Sequence, residues 1–140
     1  MHLEEVYRLF PTERDCVAYL EGVRWHGIPL CPYCTSCRST PLPKEARYHC
    51  NECNLAYSVT VGTVFHHTHL PLQKWFLAIA LMLNARRNIP IRQLAHDLEV
   101  NKNTAWYVVE RIRRSMIGGN DRQLLEGIAD LDDRHISSIP

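Results

Sequence analysis

Of the six cysteines in this 140-residue chain, four are spaced to hold a metal ion. Cys31-Pro32-Tyr33-Cys34 and Cys50-Asn51-Glu52-Cys53 are two C-x2-C pairs with fifteen residues between them. A two-residue spacer lets both sulfurs of a tight knuckle face one ion, and a second pair returned by a hairpin completes a tetrahedral sulfur site. The expectation is one Zn2+ held by Cys31, Cys34, Cys50 and Cys53. Four thiolates leave no position open to a substrate, so the zinc is expected to contribute folding free energy and do no chemistry. Disulfides are the competing use. The N-terminal His2-Leu3-Glu4-Glu5-Val6-Tyr7 is acidic and amphipathic rather than a basic and then apolar leader, which points to a reducing compartment and free thiols. Cys37 could compete as a ligand, with the Cys31–Cys34 knuckle expected to win, and Cys16 reads as a core residue. His66, His67 and His69 have no acidic partner nearby and read as a polar connector, not a second metal site.

The other usable chemistry is electrostatic. Net charge is only +1, but residues 70–118 carry eight basic and three acidic side chains, a net of +5. Residues 1–30 sum to −2, residues 31–69 to +1 and residues 119–140 to −3. Gathered basic charge is what a phosphate-facing surface requires. Three helices are predicted in this segment. Pro71 opens the first, which is apolar nearly all round, runs to about Arg87 and is closed by Asn88. Pro90 opens a short second helix with Ile91, Leu94, Ala95 and Leu98 on one face. After the turn Val100-Asn101-Lys102-Asn103, Ala105, Val108, Val109, Ile112 and Met116 mark the third, ended by Gly118-Gly119.

Two helices across a short turn are the layout of a helix-turn-helix, whose second helix offers a polar face to the major groove. Asn101 can cap that helix, and Lys102, Asn103, Thr104, Tyr107 and Arg111 lie off its apolar stripe. Asparagine suits adenine edges and lysine guanine edges. Arg86, Arg87, Arg92, Arg113 and Arg114 are better placed for phosphates, contacts that position without specifying sequence. Trp106 is expected to pack on the first helix of the bundle.

These sites need a frame. Thr12 and Asp15 form a capping-box-like start to a helix that carries Cys16, Val17, Tyr19, Leu20 and Val23 and ends near Gly22. Strands are predicted at residues 46–49 and 56–61, with Pro41 and Pro43 in a loop. The predicted class is a small α+β fold, a β-hairpin zinc ribbon followed by a three-helix helix-turn-helix bundle. Residues 1–28 form an amphipathic helical segment, 29–68 the ribbon, 69–119 the helix-turn-helix, and 120–140 an acidic tail. With 46% hydrophobic and 22% charged residues the composition is globular. The longest apolar run, Trp75 to Leu83, is far short of the roughly 20 residues a membrane span needs.

The order of these residues resembles a group of bacterial insertion-sequence transposases. The likeness runs over about residues 10–117. It is carried by Phe10-Pro11-Thr12, Arg24-Trp25, both cysteine pairs, Tyr57-Ser58-Val59-Thr60 and Gly62-Thr63-Val64-Phe65. Leu70-Pro71-Leu72, Lys74-Trp75-Phe76-Leu77-Ala78, Leu94-Ala95, Asp97-Leu98, Thr104-Ala105-Trp106 and Arg111-Ile112-Arg113 continue it. The resemblance implies a zinc ribbon and helix-turn-helix that recognise terminal inverted repeats, ahead of a ribonuclease-H-like domain with three catalytic acids. Gly127 to Ile136 resembles that domain's first strand in degraded form, with Asp132 at the first acid. Two-metal phosphoryl transfer needs carboxylates held around ions about 4 Å apart. The expectation is therefore a catalytically incompetent, truncated DNA-binding protein, cytoplasmic and nucleoid-associated, that could regulate by occupying the repeats. Double-stranded DNA is the expected partner, with protein partners or self-association beside it, and neither membrane nor small-molecule substrate. The alternative is a zinc-ribbon protein-interaction adaptor; a split enzyme completed by another polypeptide ranks last.

Overall fold

The structure, a computed structural model, describes residues 2–66, 68–84, 89–118 and 121–137, with side-chain environments given as far as residue 131. Helix α1 spans Leu3–Leu9 and α2 spans Glu13–Trp25. The start of α2 is set by a reciprocal cap: the Asp15 N–H donates to the Thr12 hydroxyl, and the Thr12 N–H donates to the Asp15 carboxylate at 2.8 Å. The helix runs through Gly22 to Trp25, because Trp25 is buried against Tyr48 and Tyr57 of the sheet and that packing outweighs the local cost of glycine.

Three short antiparallel strands follow in the order β1 (Ser39–Leu42), β2 (Arg47–Cys50), β3 (Ala56–Tyr57). A 3-10 turn over Pro43–Glu45 joins β1 to β2, and Ser39 stands opposite Cys50 and Pro41 opposite Tyr48. The predicted hairpin is thus a three-stranded sheet. Its extra strand, β1, falls where a loop was expected around Pro41 and Pro43; it is an edge strand, where a proline such as Pro41 is tolerated. The second predicted strand stops at Tyr57, after which residues 59–66 turn repeatedly.

Four helices follow among the described residues: α3 (Leu72–Asn84), α4 (Ile91–Leu98), α5 (Lys102–Gly118) and α6 (Arg122–Ser137). The last corrects two expectations. Residues 122–137 are neither a tail nor a strand but a helix packed on α2, α3 and α5, with Leu124, Leu125, Ile128 and Ala129 buried. Two cross-links fasten it: the Tyr19 hydroxyl donates to the Gly127 carbonyl at 3.0 Å, and the Asn84 amide to the Ala129 carbonyl at 2.9 Å. Three helices were expected after the sheet, and the described residues hold four.

One core runs through both halves. Trp25 on α2 meets Tyr48 and Tyr57 of the sheet edge-to-face at 5.6 and 5.7 Å, while Phe10, Tyr19 and Phe76 form a second aromatic cluster between α2 and α3. Among the described residues no helix is long and apolar enough to cross a membrane.

Candidate metal centre and nucleic-acid interface

The two cysteine pairs sit on near-identical knuckles. In the first, the Cys31 N–H donates to the Ser36 carbonyl at 3.0 Å and the Thr35 N–H to the Cys31 carbonyl at 2.9 Å. In the second, the Cys50 N–H donates to the Leu55 carbonyl and the Asn54 N–H to the Cys50 carbonyl, both at 2.9 Å. Thr35 and Asn54 both adopt a left-handed conformation with φ of 63°, which turns each chain sharply enough to aim two thiols at one point. Strand β2 delivers Cys50 and so brings the second knuckle over the first.

The four Sγ atoms all lie within 4.8 Å of one another, with Cys31–Cys53 at 3.7 Å and Cys34–Cys50 at 3.5 Å. A zinc–sulfur bond of about 2.3 Å in a tetrahedron sets sulfurs about 3.8 Å apart, so the cluster has the geometry of a structural zinc site. Four thiols this close do not ionise alike. The Cys53 N–H, first among its donors, pulls the Cys50 thiol down to about 6. The Ser36 N–H favours the Cys34 thiolate, but the hydrogen bond with Cys50, burial and the bonds with Cys31 and Cys53 together outweigh it and push Cys34 up to about 12. A divalent cation removes that conflict by stabilising all four as thiolates. Cys37 is exposed and outside the cluster, and Cys16 is buried in the core with its thiol pushed up to about 12 by burial.

Between sheet and helices lies a polar joint that the sequence did not reveal. Arg24 reaches from α2 to donate to the carbonyls of Val59 and Val61, the latter at 2.9 Å. Burial holds its guanidinium below the usual arginine value, opposed by Asp121. Burial in turn raises the Asp121 carboxyl, against the Val64 N–H, Arg24 and the Ser115 hydroxyl, which favour its charged form.

Helix α5 carries most of the basic residues singled out above. The Asn101 side chain accepts the Thr104 N–H at 2.8 Å, which fixes the helix start. The turn before it is closed by Glu99, left-handed at φ 55°, and by Lys74, whose ammonium donates to the Glu99 carbonyl at 3.1 Å. Lys102, Asn103, Tyr107, Arg113 and Arg114 are exposed on α5, Thr104 is half-buried, and Arg92 is exposed on α4. Arg111 is engaged internally: it donates to the Tyr107 hydroxyl at 2.8 Å and to the His66 carbonyl at 3.0 Å. Arg86, Arg87 and His67 lie outside the described residues.

Trp106 corrects a further expectation. It does not pack on α3. It is 54% exposed, and Tyr107 instead meets Trp75 at 6.4 Å. The signal was present in the period: with Ala105, Val108, Val109 and Ile112 inside, position 106 falls outside the apolar stripe.

Residues 11–56, which hold all four clustered cysteines, match the transposase zinc-ribbon domain family. A protein of Halobacterium salinarum described as an uncharacterized protein in transposable element ISH50 is 31% identical, the match taking in 94% of this chain and 44% of the relative. The chain thus spans less than half that relative's length. No solved structure matches. What is matched as a family is a metal-binding ribbon rather than a catalytic fold.

Proposed function

We propose that this chain, which carries a zinc-ribbon domain of the IS1595 transposase type over residues 11–56, binds double-stranded DNA in a sequence-specific way. In this reading α4 and α5 are a helix-turn-helix and the target is the end of a mobile element. The observation that carries it is the start of α5: Asn101 caps the helix while Lys102 and Asn103 stand exposed beside it. Short polar side chains at the head of an exposed helix, after a tight turn, are what a major groove admits. Arg92, Arg113 and Arg114, all exposed, are the cations available for phosphates. The relative's description places it in a transposable element, which supports the choice of target. A DNA-binding chain of this kind regulates transposition by occupying an end and keeping other proteins off it.

The test is fluorescence anisotropy with the zinc-loaded protein on duplexes tiled across the DNA flanking its gene. Three phosphate contacts give a slope of about −2.7 in log affinity against log salt, a loss of about 40-fold between 50 and 200 mM. Absence of binding to every duplex at micromolar protein refutes the reading.

A second reading, the protein-interaction adaptor, is favoured by one feature. The far ends of α3 and α5 flank an apolar groove lined by Met82, Leu83, Met116 and Ile117, and Ile117 is 87% exposed. Replacing the exposed Lys102 and Asn103 by alanine separates the two: biological function lost together with DNA affinity favours DNA, whereas function kept with DNA affinity gone favours the adaptor.

A further inference from the structure

A groove of about 580 Å³ runs between α5 and the turn formed by Gly62, Thr63 and Val64, and the exposed indole of Trp106 lines it. Of the three tryptophans in the chain, Trp25 is 7% and Trp75 0% exposed, so Trp106 at 54% stands apart. The wall behind it is internally bonded. Arg111 is tied to the His66 carbonyl and the Tyr107 hydroxyl and lies over the Tyr107 ring at 5.6 Å, so its cation is already engaged. The two carboxylates in the groove are answered as well: Glu110 by Arg113 at 3.7 Å, and Asp121 by Arg24 and the Ser115 hydroxyl. An aromatic groove with its charges balanced suits a flat, neutral ring better than a phosphate. Arg114 lines the same groove, is exposed, and has no hydrogen bond or ion pair among the described residues.

We propose that this groove receives one unpaired nucleobase of DNA, stacked on Trp106, with Arg114 meeting the adjoining phosphate. A paired base offers a protein only its edges, because its faces are covered by its neighbours. A base free of its partner offers a face, and an aromatic side chain takes it whatever its identity. The site rests on the reading of the chain as a DNA-binding protein and adds to it a preference for distorted duplex.

The test uses the zinc-loaded full chain and two probes, a perfect 20-base-pair duplex and the same duplex with one central unpaired thymine. Stacking makes the second probe bind about tenfold tighter. Trp106 supplies the exposed indole emission, and only the second probe quenches it. In Trp106→Ala the affinity ratio between probes falls to near one, and in Trp106→Phe it is largely kept. Equal affinity for both probes in the wild type, or an unchanged ratio in Trp106→Ala, overturns the stacking site and leaves duplex recognition standing. Binding of the unpaired probe alone supports the stacking site and overturns duplex recognition. Binding of neither overturns both.

Discussion

Removing the metal tests the frame on which everything else depends. A structural zinc in a four-thiolate site is worth an apparent 10–16 kcal/mol at neutral pH, roughly, whereas whole domains are stable by about 5–15 kcal/mol. Nothing else in the ribbon compensates for such a loss: its strands span four, four and two residues, and its buried side chains include two of the ligands, Cys31 and Cys50. Metal-free ribbon is therefore expected to unfold, and Cys50→Ser to do the same. The helices keep their own buried set, including Trp75, Leu77, Leu94, Ile112 and Leu125, so helical circular dichroism falls only in part. Trp25 loses Tyr48 and Tyr57 as neighbours, which shifts its emission to the red. Thiol titration counts the state directly. Native protein offers one fast thiol, exposed Cys37; strong chelator releases the four ligands and raises the count to five of six, with buried Cys16 still protected. Because the ligands bind as thiolates, zinc is retained at neutral pH and lost progressively on acidification. Five fast thiols without chelator, or unchanged tryptophan emission in chelator with no metal bound, refutes the assignment.

Leu125 is fully buried in α6, so Leu125→Ala is expected to cost about 2–5 kcal/mol in urea unfolding; a change under about 0.5 kcal/mol means the segment is only an appendage. Arg24→Met removes charged donors from the Val59 and Val61 carbonyls and is expected to cost about 2–4 kcal/mol, read as a lower urea midpoint at unchanged slope; an unmoved midpoint shows the turn is held otherwise. The Thr12 hydroxyl and N–H hold the Asp15 carboxyl below its usual range, so the cap stabilises above about pH 4 and fades as pH falls through that lowered value. In Thr12→Ala the Asp15 carboxyl resonance is expected to titrate at higher pH, and an unmoved titration excludes the cap as the cause.

Spacing made the metal site readable, because two C-x2-C pairs leave little freedom once a hairpin returns the chain. The helix boundaries were readable for a similar reason: Thr12, Pro71, Pro90 and Asn101 each set a helix start by local geometry. What stayed hidden depended on partners distant in sequence. Strand β1 exists because its one proline, Pro41, lies exposed on an edge strand, which nothing in Ser39-Thr40-Pro41-Leu42 announces. In α6 the pattern Leu124, Leu125, Ile128, Leu131 is helical in period, whereas the resemblance of residues 127–136 points to a strand. In the sequence Arg24 belongs only to the family resemblance and Arg111 to the polar face of the third helix, whereas in the fold each closes backbone carbonyls of the turn that joins ribbon to helices.

Those two arginines also tie a zinc that does no chemistry to the recognition surface proposed for α5. Arg24 grips residues 59 and 61 from the side of the ribbon's helix, α2, and Arg111 grips residue 66 from the side of α5. The turn between them forms one wall of the groove beside Trp106. The ribbon, through Trp25, Tyr48 and Tyr57, holds α2 in register with the sheet, so its order is passed along to the surface of α5. A freely tethered ribbon would leave the α5 face unchanged when its metal is lost. With a shared core, loss of the ion costs the groove its wall while leaving α5 helical, so in a chelator titration by fluorescence anisotropy the proposed selectivity for distorted DNA is expected to vanish before the proposed affinity for duplex, and loss in the reverse order refutes the coupling.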